Sequence, residues 1–135
     1  MCSEENNQNN CMSNIIEKIL MLQQRKEDCE DITCTKPFLG PSNNIECPNT
    51  RLISLCSCCN NTLWSMPYTL GDTTGTSSVF RVESLEDNFA TFRVLAPNTD
   101  TTSTYPYLAT NDFFTIKLSC IGVLRCMGDT TITGI

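Results

Sequence analysis

The chain has 135 residues, a net charge of −6, a pI near 4.5 and no histidine. That length suits one domain with a sizeable core. The acidic balance removes the electrostatic footprint of a nucleic-acid binder, and the longest apolar run, Ile19 to Leu22, is too short to span a bilayer. Ten cysteines remain to be explained.

Residues 1–13 read as a polar, flexible arm carrying Cys2, an Asn/Gln tract from Asn6 to Asn10, and Cys11. They show neither the basic start nor the apolar stretch of a secretory signal, so synthesis in a cytoplasm is expected. A helix is predicted over about 14–27. Ser13 is a suitable N-cap, Ile15, Ile16, Ile19, Leu20 and Leu22 supply an apolar stripe, and Arg25 and Lys26 fall in the last turn.

Asp28 to Pro48 is a connector rich in Pro, Gly, Ser and Asn that carries Cys29, Cys34 and Cys47. From Arg51 onward the apolar period becomes two. Strands are predicted at Arg51 to Leu55, Thr62 to Met66, Val79 to Glu83 and Phe89 to Leu95, the last with Ala90, Phe92 and Val94 on one face. Leu85 to Asn88 is a turn, so the third and fourth form a hairpin. Gly71 to Gly75 reads as a plain loop, and Pro97 to Ser103 as another. Tyr105 to Thr110 suits a short edge strand, because Pro106 has no donor. Phe113 to Leu124 is the longest β-run, with Gly122 marking a bulge or bend, and Thr130 to Thr133 a final strand. The fold class expected is mainly β: a small β-sandwich or jelly-roll-like domain over 14–135 with one N-terminal helix.

The chemistry is bounded by absences. Without histidine, Ser-His-Asp and Cys-His catalysis are out of reach. Glu83 with Glu86 or Asp87 is better read as a solvated turn than as an acid/base pair. Arg81 and Arg93 are expected to be cross-strand partners of Glu83 or other acids rather than anion ligands. No Cys-x-x-Cys redox pair occurs. Structural zinc would want two cysteine knuckles. Cys56, Cys58 and Cys59 are too closely spaced for that, and Cys29 and Cys34 slightly too far apart. A cysteine-rich zinc module is the alternative reading; no metal or cofactor is assigned.

Disulfides are the main reading. In a strand, Cys56 and Cys58 would share a face and Cys59 would oppose them, and a bond between the adjacent Cys58 and Cys59 would be strained. In a continuous strand Cys120 and Cys126 would lie roughly 20 Å apart, beyond the reach of a disulfide. Cysteines on a flexible arm are poor internal staples, since fixing the arm costs entropy. The expected inter-subunit candidates are therefore Cys2, Cys11, Cys56, Cys58 and Cys59, then Cys120 and Cys126. Cys29, Cys34 and Cys47 are less certain bonds or buried thiols.

Several segments resemble one family. Pro37-Phe38-Leu39-Gly40, Asn49-Thr50-Arg51, Phe80-Arg81-Val82-Glu83-Ser84, Ala90-Thr91-Phe92-Arg93-Val94-Leu95 and the ending with Leu118-Ser119-Cys120, Cys126 and Asp129-Thr130-Thr131-Ile132 are similar to the CotY, CotZ and ExsY proteins of bacterial spore coats and exosporia. The likeness runs over about residues 14–134. Gly122 and Phe89 stand where the family carries cysteines. The resemblance implies a non-enzymatic protein of the spore surface, in the outer coat or exosporium basal layer, made in the mother-cell cytoplasm. It further implies self-assembly into hexameric rings that tile as disulfide-linked sheets beside other coat and exosporium proteins, forming a protective, permeability-limiting shell.

Overall fold

The computed structural model describes residues 5–24 and 48–135. Cys2, Cys29, Cys34 and Cys47, with Arg25, Lys26 and the connector from Asp28, lie outside those residues. The mainly β architecture expected from the sequence is present: among the described residues one α-helix, α1 (Glu5–Gln24), precedes seven strands. They are β1 (Thr50–Ser57), β2 (Met66–Leu70), β3 (Thr73–Ser77), β4 (Phe80–Glu86), β5 (Phe89–Pro97), β6 (Tyr107–Lys117) and β7 (Ile121–Thr130). Five form an antiparallel sheet in the order β6-β5-β4-β1-β7, and β2-β3 form a separate ribbon. The helix packs on β4 and β1, and the ribbon on β5 and β6, giving a small sandwich-like domain.

The helix starts at Glu5, before the Ser13 cap expected. The stripe explains the difference. Ile16 and Ile19 are buried and Met12 and Leu20 pack beside them, whereas Ile15 and Leu22 are exposed. The buried face thus begins a turn earlier than a stripe started at Ile15.

Ala90, Phe92 and Val94 share the inner face of β5, as their alternation requires, and join Phe80, Val82, Ile53 and Leu55 under the helix. A smaller core of Leu52, Val79, Leu95 and Ile132 forms separately. Between β1 and β4 one register pair holds, Ile53 with Phe80. Gln23 bridges that joint: its amide donates to the Val82 carbonyl at 2.9 Å, and its oxygen accepts from the Arg51 N–H at 3.2 Å. A buried side chain thereby satisfies backbone groups that a closer ladder would have paired.

Several boundaries differ from the sequence reading. Thr62 to Met66 contributes only a bridge from Leu63 to Cys56, and β2 begins at Met66. Gly71 to Gly75 is no plain loop. Leu70 pairs with Thr73, and Gly71 takes the positive φ of 62° that a tight hairpin turn demands. β6 runs through Thr110 because a bulge opposite Val94 absorbs the extra residues, with Thr110 Oγ1 donating to the Val94 carbonyl at 2.7 Å. The long run after Phe113 breaks into a 3-10 turn at Leu118–Cys120, and β7 ends at Thr130, leaving Thr131 to Thr133 outside any strand. Ile132 is held instead by Asn49, whose side chain donates to its carbonyl and accepts from its N–H, each at 2.9 Å. A local polar anchor has replaced the ladder.

On the opposite sheet face Arg81 and Arg93 are direct cross-strand neighbours. Glu83 Oε2 accepts from Arg81 Nη1 at 2.8 Å and from Arg93 Nε at 2.9 Å, so the acid partner expected of both arginines is Glu83. At the β1–β7 joint Arg51 Nε donates to Asp129 Oδ1 at 2.7 Å and Arg51 Nη2 to Oδ2 at 2.9 Å. The hydrogen bond from Arg51 holds the Asp129 carboxyl below its usual range, and the same contact raises the Arg51 pKa. A folded value below the unfolded one means that the pair stabilises the fold above the unfolded pKa of about 3.9. The contribution then fades as pH falls through the lowered folded value. Both side chains are partly exposed, at 30% and 43%, so Asp129→Asn is expected to cost only about 0.5 kcal/mol at neutral pH. Urea melts should show the difference vanishing well below pH ~4.

Candidate functional site: an exposed thiol cluster

The described residues include five free cysteines. Cys56 is half-buried, and Cys58, Cys59, Cys120 and Cys126 are exposed. Cys11, on α1, is disulfide-bonded.

Cys56 lies near the end of β1. The chain then reverses over 57–62, with Asn61 N–H donating to the Ser57 carbonyl at 3.0 Å and Ser57 N–H to the Thr62 carbonyl at 2.9 Å. Asn61 takes a φ of 53°, a conformation that asparagine tolerates better than most residues. Cys58 and Cys59 fall on this turn, not on a strand. Their side chains therefore do not alternate, and their sulfurs stand 3.7 Å apart. The opposed arrangement that a strand would impose does not arise, because β1 ends at Ser57.

Cys120 reaches the same place from the far end of the sequence. The Cys58 N–H donates to the Cys120 carbonyl at 3.0 Å. Gly122 makes this approach possible, since a Cβ there would sit 2.7 Å from Cys58 Cα. The bulge expected at Gly122 is present, with Ser57 pairing with Ile121 and Cys56 with Val123. A glycine at this position is thus what lets two backbones meet. The hydrogen bond with Cys59 is the main cause raising the Cys58 thiol pKa, and the nearby charges of Cys59 and Cys120 push the same way.

Cys126 sits further along β7, opposite Ile53 and within reach of the Arg51 guanidinium. The 3-10 turn ends at Cys120, and the residues from Ile121 to Cys126 all lie in the single strand β7, so Cys120 and Cys126 stand at opposite ends of a strand segment. The structure thus gathers Cys58, Cys59 and Cys120 at one end of the β1–β7 pair and leaves Cys126 on the exposed β7.

Among the described residues, no group of three or more cysteine or acidic side chains is arranged to hold a metal ion, and no helix is long and apolar enough to cross a membrane. A groove over the ribbon is lined by Pro67, Tyr68, Thr76 and Asp112. Its carboxylate is already occupied, since Asp112 accepts the Thr69 N–H at 2.7 Å.

The domain thus shows solvent four free thiols, and the chain has no histidine. The chain matches the spore coat protein Z family over residues 1–107 and belongs to that family. It is accordingly a structural protein of the spore coat, at the spore surface, in company with other coat proteins. The match ends at the start of β6, so Cys120 and Cys126 lie beyond it although the resemblance read from the sequence ran to about residue 134. No curated protein and no solved structure matches the chain.

Proposed function

We propose that this chain is a non-enzymatic building block of the outer coat or exosporium basal layer. It self-assembles into hexameric rings that tile as two-dimensional sheets, and disulfides between subunits lock them into a permeability-limiting shell. The observation that carries this reading is the display of Cys58, Cys59, Cys120 and Cys126 to solvent as free thiols on a spore-coat domain. Exposed thiols are poor core material but are available to a neighbour. Contacts that close give rings, and further contacts tile them. Many covalent links give the layer persistence governed by rates, which suits a resting cell. Synthesis in the mother-cell cytoplasm keeps the thiols reduced until that cell dies.

Cys2 stays among the proposed linking residues, with Cys56 behind the exposed four. Cys11 already has a bond, so it links subunits only by exchanging that partner. Cys29, Cys34 and Cys47 are held as further bonds or buried thiols.

Oxidised protein should run on a denaturing gel without reductant as a ladder of covalent oligomers that dithiothreitol collapses to one band. Replacing Cys58, Cys59, Cys120 and Cys126 together by serine should remove most of the ladder, and negative-stain micrographs should show rings or sheets. A single-copy band after oxidation of concentrated protein would refute the proposal.

A further inference from the structure

Two cysteines adjacent in sequence seldom present their sulfurs together, because extended backbone sends them to opposite faces. Here the turn over 57–62 overrides the alternation and brings the Cys58 and Cys59 sulfurs to 3.7 Å. The turn is pinned from three sides. Cys59 N–H donates to Ser57 Oγ at 3.3 Å, Cys58 N–H to the Cys120 carbonyl at 3.0 Å, and Gly122 lies against the Cys58 backbone. Both thiols are free and exposed. Direct closure of the pair into a disulfide is opposed by geometry. Consecutive Cα atoms are about 3.8 Å apart, shorter than the roughly 4.4–6.8 Å that disulfides span. An atom inserted between the sulfurs relieves that constraint.

We propose that Cys58 and Cys59 form a chelating dithiol site for a soft, thiophilic ion, of the class of trivalent arsenic and monovalent copper. Soft thiolates select soft ions, and two sulfurs already side by side lose little freedom on binding. Zinc in a structural site asks for four ligands, and the described residues present no group of three or more that could hold a metal. With an organic arsenous oxide the reaction balances without redox change. Two S–H bonds and the arsenic–oxygen bond break, two arsenic–sulfur bonds form, and the oxygen leaves with both protons as water. Arsenic stays trivalent throughout. The site goes beyond cross-linking and does not depend on it, although occupancy withdraws this turn from bonds between subunits.

The test uses the full chain, reduced with a phosphine, freed of reductant and kept dilute under nitrogen. It is titrated with phenylarsine oxide and read by intact mass. Cys58→Ser and Cys59→Ser should each take up one arsenical fewer per chain than the parent. Cys56→Ser, on the strand beside the turn, should match the parent in this difference. The arsenical that distinguishes parent from variants should resist excess monothiol and be stripped by a dithiol such as 2,3-dimercaptopropanol. Equal uptake by the parent and both turn variants would overturn the proposal, as would removal of the distinguishing arsenical by monothiol. Because the measurement is made on reduced protein, it stands whether or not oxidation links the subunits.

Discussion

Glu83→Ala is expected to cost about 3 kcal/mol, well above the value of an ordinary surface ion pair. Arg81 and Arg93 face each other across β4 and β5, where two like charges would repel. One carboxylate oxygen, Glu83 Oε2, accepts from both. The arginine side chains are each 13% exposed and Glu83 20%, so water screens the group poorly. Further donors hold the arginines in place: Arg81 Nε to Thr50 Oγ1, Arg81 Nη2 to the Asn49 carbonyl, and Arg93 Nη1 to the Thr110 carbonyl. Arg93 also lies 4.4 Å from the centre of the Phe113 ring. Removing the carboxylate leaves two half-buried cations held in place with nothing between them. Glu83→Gln keeps an acceptor without the charge and should fall between Glu83→Ala and the parent. Urea melts on reduced protein measure the difference. Adding Arg93→Met to Glu83→Ala should recover part of the loss, showing that the cost is uncompensated charge. A loss for Glu83→Ala below about 0.5 kcal/mol would mean that the network behaves as an exposed pair.

Phe80→Ala is expected to cost about 3–5 kcal/mol, a large share of the roughly 5–15 kcal/mol that holds a domain of this kind together. Phe80 is fully buried, and its ring meets Phe114 edge-to-face at 4.8 Å and 74°. Phe114 in turn stacks on Phe92 at 5.4 Å. Phe80 is also the β4 partner in the Ile53 register pair that joins β1 to β4. The truncation therefore empties space beneath the helix at the seam where the ladder is thinnest. Phe89→Ala is the matched control. Phe89 is 48% exposed, so its loss should shift stability by no more than about 0.5 kcal/mol. Comparable costs for the two would place the core elsewhere than beneath α1.

The strand content was legible because alternation is a local property. Ala90, Phe92 and Val94 share a face whatever lies beyond them. The acid between Arg81 and Arg93 was legible for the same reason, since residues two apart on a strand point the same way. Local signals misled where a side chain substitutes for a ladder. Thr130 to Thr133 alternates like a strand, yet Ile132 is held by Asn49. They misled again where one short turn divides a run, as at Leu118–Cys120. The hairpin at Gly71 was missed because threonines and glycines resemble a loop until their register is seen.

By itself the sequence determined the composition that matters: ten thiols, no histidine, an acidic chain and a β-periodic body after one helix. Those properties need no geometry, and together with the family motifs they point to a spore-surface structural protein. Which sulfurs stand together was decided only by the tertiary structure. Cys58 meets Cys120 because β1 and β7 pair antiparallel and Gly122 lets their backbones close in. Cys59 joins Cys58 because β1 ends one residue before Cys58 and a turn takes over. Proximity between distant residues is set by strand pairing and by the ends of strands. A linear periodicity carries no record of either.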